Sequence, residues 1–502
     1  MKTIKYLVSL FLVLLLASCK SNNVNVTLLQ LNDVYEISAL EGGKVGGMAR
    51  VETVYKQLLN ENPNTYILMA GDFLNPSLLG TLKYQGQNIR GKQMIEVMNA
   101  LPIKLATFGN HEFDLNEADL QKRLNESTFD WVSANTKRIK NDSISLFYKE
   151  QNNQITPLFE TYILEVTQKN QKFKIGFLSL TIDDTKKNYV SYEDKFLSAK
   201  RVYKGLKSQS DLVLGLTHLK KATDGELLKQ FPEIPLIMGG HEHTNTFLTQ
   251  GASHITKADA NAKSVYVHRI VYNTKIKKAT INSTLVYLDS TIVQDAEILK
   301  IVNKWQAIQD AQIKGVIKNP EAVVYHAQVP LDGKDTPVRS VQTNLGQIIA
   351  QSMAAASKSS VDCAFVNGGS IRIDDELRGA ITGIDIFRVL PFGGSVYELD
   401  IKGALLKEVL DYGQKAAGTG AYLQRFNAEL VHESWIVNGK PINNQKVYHI
   451  ALSDYLIKGF DIPMLVESNP QVLKVYKPLE TDSTDVRVDI RKTVIAYLKS
   501  IK

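Results

Sequence analysis

Five short apolar runs in the first half of the chain each break off at side chains that can hold a metal. Val26 to Leu31 runs into Asn32-Asp33, Thr65 to Ala70 into Gly71-Asp72, and Ile103 to Phe108 into Gly109-Asn110-His111. Asp211 to Thr217 is followed by His218, and Ile234 to Met238 by Gly239-Gly240-His241-Glu242-His243. Each run has the length and composition of a buried strand, and longer amphipathic stretches alternate with them up to about Leu288. That alternation is the pattern of a layered α/β domain. Ligands in such domains bind beyond the carboxyl ends of strands, so five strands with these endings converge on one edge. A single histidine after a strand is more often a solvated loop residue than a ligand, but five coincident endings reverse that weighting.

At 502 residues the chain exceeds what one hydrophobic core supports. Between Asp295 and Asn319 the spacing of Ile298, Val302, Trp305, Ile308 and Ile313 is helical, and Asn319-Pro320 stops it. The expected division is residues 26–290 as a first domain, 291–322 as a linker helix and 323–502 as a second α/β domain. A peripheral helix of the first domain is the alternative for 291–322. The second domain offers an amphipathic helix at Asn344 to Ser357, a glycine turn at Asn367-Gly368-Gly369 and a strand near Val396 to Ile401. With 44% hydrophobic and 22% charged residues, a disordered, collagenous or polytopic membrane chain is excluded. The formal charge of +7 is scattered, with no basic run interleaved with aromatics, so no nucleic-acid partner is expected.

The N-terminus reads as an export signal. Lys2 and Lys5 precede an apolar stretch from Leu7 to Ala17 that is too short to span a bilayer, and Leu16-Ala17-Ser18-Cys19 follows. This ending resembles the lipobox of bacterial lipoproteins, which implies a leader over residues 1–18 and lipidation of Cys19. Residues 19–25 then form a polar tether, and the protein is expected outside the cytoplasm, in the periplasm or at the cell surface, anchored to a membrane by its lipid. The chain's other cysteine, Cys363, lies in an apolar setting and reads as a small core residue.

Carboxylates, an amide and imidazoles suit borderline divalent metals such as Zn, Mn, Fe or Co. Two such ions about 3.5 to 4 Å apart can clamp the attacking and leaving oxygens of an in-line phosphoryl displacement. Asp72 is the best candidate for a bridging carboxylate. Here the sequence resembles the calcineurin-like metallophosphoesterases, and in particular the 5'-nucleotidases and UDP-sugar hydrolases. The resemblance rests on Gly71-Asp72, GNHEFD at Gly109 to Asp114, Thr217-His218 and GGHEHT at Gly239 to Thr244, in family order. It implies a four-layer α/β/β/α domain holding two divalent metals, followed by a smaller α/β substrate-binding domain. By the same resemblance Asp33, Asp72 and His243 hold the first metal, and Asp72, Asn110, His218 and His241 the second. His111 stabilises the transition state or protonates the leaving oxygen, and Asp114 orients its ring. The family's first motif is Asp-x-His, whereas here Tyr35 stands in place of the imidazole. Three arrangements follow. Tyr35 ligates weakly, it turns away and water fills the position, or the first site is weak and the enzyme relies on the second. The water-filled site is expected, since three protein ligands plus water make a normal open catalytic site.

The C-terminal half resembles the substrate domain of the 5'-nucleotidases through Asn344-Leu345-Gly346, NGGSIR at Asn367 to Arg372, Ile381-Thr382 and LPFGG at Leu390 to Gly394. The resemblance implies that Arg339 and Arg372 contact phosphate and Asn367 the base or ribose. Phe392 and Tyr455 would sandwich the base, and Asp461 would accept from ribose hydroxyls. Without the resemblance, these aromatics read as core and the arginines as surface ion pairs. The family's Gly-Gly-Asp-Gly reads Gly459-Phe460-Asp461-Ile462 here, so Phe460 and Ile462 are expected to reshape the sugar pocket. The resulting expectation is an exported phosphohydrolase that removes the 5'-phosphate of nucleoside monophosphates, with nucleotide sugars or cyclic nucleotides as further substrates. One alternative is a nucleotide-binding surface lipoprotein with decayed catalysis. Another is an enzyme for a sulfur or non-nucleotide phosphate ester.

Overall fold

The computed structural model describes residues 22–482 and 484–501; the expected leader and Cys19 lie outside the described residues. The first domain is built on twelve strands: β1 (Asn23–Leu31), β2 (Thr65–Ala70), β3 (Ile103–Thr107), β4 (Asp130–Val132), β5 (Thr161–Gln168), β6 (Gln171–Thr181), β7 (Leu212–His218), β8 (Leu236–Gly239), β9 (Thr246–Gln250), β10 (Ser253–Lys257), β11 (Ser264–Asn273) and β12 (Lys278–Tyr287). They form two six-stranded sheets, ordered β12-β11-β1-β2-β3-β4 and β5-β6-β7-β8-β10-β9. β1 starts earlier than its apolar run. Asn23, Val24 and Asn25, expected in the tether, pair with Asn273, Tyr272 and Val271, because an antiparallel partner satisfies their backbone groups.

Alternation along each strand produces the layers. One face of the first sheet (Val26, Leu28, Leu68, Leu105) packs against Phe173, Ile175, Phe177, Leu214, Leu216 and Met238 of the second. The opposite face of the first sheet (Leu29, Leu31, Ile67, Met69) lies under the helices Met48–Glu61 and Lys92–Ala100. The outer face of the second (Leu178, Leu180, Val213, Ile237) lies under Lys195–Gln209 and Lys221–Gln230. The domain is therefore the expected α/β/β/α stack. Parallel pairing sets Leu31 beside Met69, Ala70 beside Thr107, and Thr217 beside Gly239, so the five strand ends open on the same edge.

The helix Ala296–Lys314 is capped by Asp295. Its Ile298, Val302 and Trp305 belong to the core of the first domain, and Ile313 joins the core of the second. It thus serves the first domain along most of its length. The second domain adds β13 (Cys363–Asn367), β14 (Val396–Lys402), β15 (Leu423–Phe426), β16 (Val447–Ser453) and β17 (Val472–Tyr476) in the order β15-β13-β16-β14-β17. Helices Asn344–Ala356 and Ile490–Ser500 contribute Ile349, Met353, Val494 and Leu498 to one core of this domain. Helix Gly403–Lys415 contributes Leu405, Leu406 and Val409 to the other, which also holds Cys363. Burial pushes the Cys363 thiol well above its ordinary range, so it is a packed apolar group. No described helix is long and apolar enough to cross a membrane.

Candidate active site

The strand ends reach their positions by backbone routes that ordinary residues avoid. Asp33, Asp72 and His241 have φ of 54°, 57° and 85°. Left-handed conformations at non-glycine residues cost about 1–3 kcal/mol each and persist where the surroundings enforce them. Gly240 lets two strand ends meet: a Cβ there would lie 2.3 Å from the Ala70 carbonyl oxygen and 2.6 Å from His218 Nδ1. The side chains then converge. Ligand atoms of Asp33, Asp72 and His218 lie within 4.8 Å of one another, all fully buried. His243 Nε2 is 3.3 Å from Asp33 Oδ1, and His218 Nε2 is 3.1 Å from Asp72 Oδ2.

Backbone contacts fix the imidazole of His218. His218 Nδ1 donates to the Ala70 carbonyl at 2.8 Å, leaving Nε2 to face the carboxylates. His241 lies edge-on to His218 with ring centroids 5.5 Å apart, and burial pushes its pKa down to about 3. Two buried atoms here have no hydrogen-bond partner, His218 Nε2 and Asn110 Oδ1. Buried polar atoms are normally satisfied, so two orphaned lone pairs beside two carboxylates fit a bound divalent cation. Asp33, Asp72, Asn110, His218, His241 and His243 are thus brought to one edge. Tyr35 does not turn away as expected. Its hydroxyl lies 3.3 Å from Asp72 Oδ2 and 3.1 Å from His243 Nε2, because its buried ring packs between His111 and His243.

His111 stands at the rim with Nδ1 2.8 Å from Asp114 Oδ2. Burial opposes its charge, but Asp72 and Asp114 outweigh that and hold its pKa up at about 9. Asp114 also accepts from Asn75 Nδ2 at 2.9 Å and from Arg372 of the second domain at 2.5 Å. Although burial opposes its charge, Arg372 and His111 hold its carboxyl far below the usual range.

Two holding groups escaped the reading of the sequence. Buried Glu112 accepts from the backbone N–H groups of Asp72, Phe73, Leu74 and Gly109 at 2.7 to 3.0 Å, tying two ligand loops together. Burial and the Asp72 charge push its pKa up to about 7. It sits inside GNHEFD, and its neighbours in the motif drew the chemistry. Lys257, fully buried, donates to the Gly240 carbonyl at 2.7 Å, to Asp224 at 3.0 Å, and to Glu242 and the Leu219 carbonyl. Asp224 in turn accepts from Thr217 at 2.7 Å, so one ammonium fixes the loops of His218, His241 and His243. No local pattern marks a lysine fourteen residues or more from any of the proposed ligands.

Facing these loops is a cavity of about 490 Å³ in the second domain, lined among others by Arg339, Asn367, Arg372, Phe392, Tyr455 and Asp461. Asp461 accepts from Asn367 Nδ2 at 2.7 Å and from the Tyr455 hydroxyl at 3.1 Å. Phe392 is 59% exposed and Tyr455 37%, so neither is a core aromatic. Arg339 and Arg372 each pair with a carboxylate, Asp335 and Asp114, yet each keeps a buried Nε without an acceptor. The expectation for Phe460 and Ile462 is corrected. Ile462 turns into the second domain's core and Phe460 projects 73% exposed, its ring centroid 6.0 Å from that of Tyr455. Neither forms the cavity wall.

Known proteins share this plan. A 5'-nucleotidase of Bos taurus is 25% identical across 94% of this chain and 88% of its own length. Protein UshA of Yersinia enterocolitica is 24% identical, covering 88% of this chain and 87% of itself. The crystal structure of a 5'-nucleotidase precursor from Thermus thermophilus superposes with a TM-score of 0.65 at 20% identity, over 95% of this chain and 97% of that one, which shows the fold. The calcineurin-like phosphoesterase model matches residues 26–245 and the 5'-nucleotidase C-terminal domain model residues 323–467. With both domains present in order around one site, the chain belongs to the two-domain 5'-nucleotidase family of metal-dependent calcineurin-like phosphoesterases and is a phosphoric monoester hydrolase.

Proposed function

We propose that the protein removes the 5'-phosphate of nucleoside monophosphates, with nucleotide sugars and cyclic nucleotides as further substrates. The observation that carries this reading is a pairing of unsatisfied atoms across the cleft. Buried lone pairs of Asn110 and His218 await a cation on one side, and buried N–H groups of Arg339 and Arg372 await an anion on the other. A phosphate monoester between divalent ions and two guanidiniums satisfies both. Asp33, Asp72 and His243 would hold one metal and Asp72, Asn110, His218 and His241 the other. Bound metals supply Lewis acidity that polarises the phosphoryl group and offsets its charge. Zn, Mn, Fe and Co fit this donor set.

The chain's own groups do the rest. Arg339 and Arg372 orient the phosphate as planar forks. His111, kept as an imidazolium by Asp114 and Asp72, donates a proton from Nε2 to the departing ribose oxygen. Phe392 and Tyr455 offer faces to the base, and Asp461 has lone pairs free for ribose hydroxyls. The alternative of a decayed binding protein is disfavoured by the intact ligand set and by the anchoring of Glu112 and Lys257, which binding alone does not call for. Outside the described residues, Cys19 would carry the lipid that tethers the enzyme beyond the cytoplasm, in keeping with nucleotide salvage and phosphate scavenging.

Phosphate release from AMP by the full chain, with Mn²⁺ or Zn²⁺ added, tests the reading. Turnover that chelation abolishes is the expected result, and no release from any nucleotide or nucleotide sugar overturns it. A panel of non-nucleotide and sulfur esters separates nucleotide preference from a broader esterase.

A further inference from the structure

The loop after Arg372 reaches across the cleft. Arg372 meets Asp114, Asp374 meets His243, and Asp375 meets Lys263, so three of four consecutive residues of the second domain touch the first. Asp374 is the unusual member. It is buried, with a left-handed φ of 45°. Its backbone carbonyl accepts from His243 Nδ1 at 2.7 Å, while its carboxylate Oδ2 lies 3.1 Å from Nε2 of the same ring. Its Oδ1 accepts from the Asp335 N–H at 2.7 Å, which fixes the carboxylate's direction.

The carbonyl settles the tautomer. With the Nδ1 proton given to it, His243 Nε2 presents a lone pair to the oxygens around it. Those oxygens are Asp374 Oδ2 at 3.1 Å, Tyr35 Oη at 3.1 Å and Asp33 Oδ1 at 3.3 Å, and Tyr35 Oη is itself 3.3 Å from Asp72 Oδ2. Ligand atoms bound to one ion at about 2.0–2.2 Å lie about 3 Å apart at adjacent positions. A carboxylate oxygen beside an imidazole nitrogen is repulsive until a proton or a metal ion lies between them. Tyr35 is a poor substitute for an imidazole, because a phenol keeps its proton at ordinary pH and offers a metal only a weak neutral oxygen.

We propose that Asp374 is a ligand of the first metal position, a carboxylate lent by the second domain that makes up for the imidazole absent at Tyr35. The inference rests on the two-metal reading above. It has a structural consequence: the first ion is completed by residues from two domains, so its binding is tied to their contact, whereas the second ion draws on the first domain alone.

The test is calorimetric titration of the metal-free full chain with Mn²⁺, read as number of sites and affinity. Asp374→Asn keeps the shape and an oxygen for the Asp335 N–H but removes the charge. Wild type is expected to take two ions. In Asp374→Asn one site should be unchanged and the other weakened about 10- to 100-fold, the range seen when a group supporting a metal is lost. Tyr35→His in that background should recover the weakened site, a rescue that misfolding or lost domain contact would not give. Two sites of wild-type affinity in Asp374→Asn overturn the proposal and leave the two-metal reading standing, since Asp374 then only partners the imidazole. A single site in wild type overturns it as well, and no metal binding at all overturns the underlying reading too.

Discussion

The two walls of the cleft are made differently. On the wall proposed to hold the metals, side chains emerge from strand ends, Asp33, Asp72, Asn110 and His218 are buried with His241 and His243 partly so, and backbone groups from several elements hold them. Glu112 alone accepts four N–H groups, and Lys257 spans the loops of three histidines. On the substrate wall, Phe392 and Tyr455 stand partly in solvent and Asp461 is tied only to its pocket neighbours. Chemistry that must stabilise one charge distribution needs preorganised groups, and that rigidity is bought with strained backbone at Asp33, Asp72 and His241. A wall that receives a flat base needs faces and little else. The two walls should therefore fail in different ways when altered.

The largest effect is expected at His111. If His111 protonates the leaving oxygen as proposed, His111→Ala should lower kcat for AMP by about 10²- to 10⁴-fold, the usual contribution of a general acid. KM should stay near wild type, because the proposed contacts to base and phosphate, from the metals, Arg339, Arg372, Phe392 and Tyr455, do not involve His111. Steady-state kinetics decide it. A variant with unchanged kcat and raised KM would put His111 among the binding groups and erase the contrast between the walls.

The wall proposed to hold the metals was legible in the sequence because five strands each end within a few residues of a candidate ligand, and period-two alternation placed those strands. Thr65–Ala70 matches its apolar run at both ends, and β1 departs only where pairing with β11 draws Asn23 to Asn25 into the sheet. The substrate wall came from resemblance alone. Phe392 and Tyr455 are 63 residues apart in number, and nothing local says that loops bring them together. Three-dimensional supports were invisible for the same reason. Asp374 acts on a histidine 131 residues away and Lys257 on a carbonyl 17 away, with no periodicity to betray either. The inward turn of Tyr35 was missed because the reading weighed its acidity and not the packing of its ring.

The next effect tests how the metal wall is held. Lys257→Met should destabilise the first domain by about 3–5 kcal/mol, because it leaves the buried carboxylate of Asp224 without its cation. Denaturant unfolding of the metal-free chain measures this without involving catalysis. At temperatures where the variant is folded, the loops of His218 and His241 should also bind metal less tightly. Stability within about 1 kcal/mol of wild type would mean that the loops are held by their own backbone bonds and that the ammonium is dispensable.

The smallest effect is expected on the substrate wall. Phe392→Ala removes one of the faces proposed for the base, and stacking of a base on an aromatic is worth about 1–3 kcal/mol. Because Phe392 is 59% exposed, the lower part of that range applies, and its removal should leave the fold's stability unchanged. The same contact serves substrate and transition state alike, so the loss should appear in KM for AMP with kcat nearly constant. Phosphate esters without a base provide the control: they make no use of the ring, so their kcat/KM should be equal in wild type and variant. If kcat for AMP falls instead, Phe392 positions the phosphate as well as the base, and the substrate wall shares the precision of the metal wall.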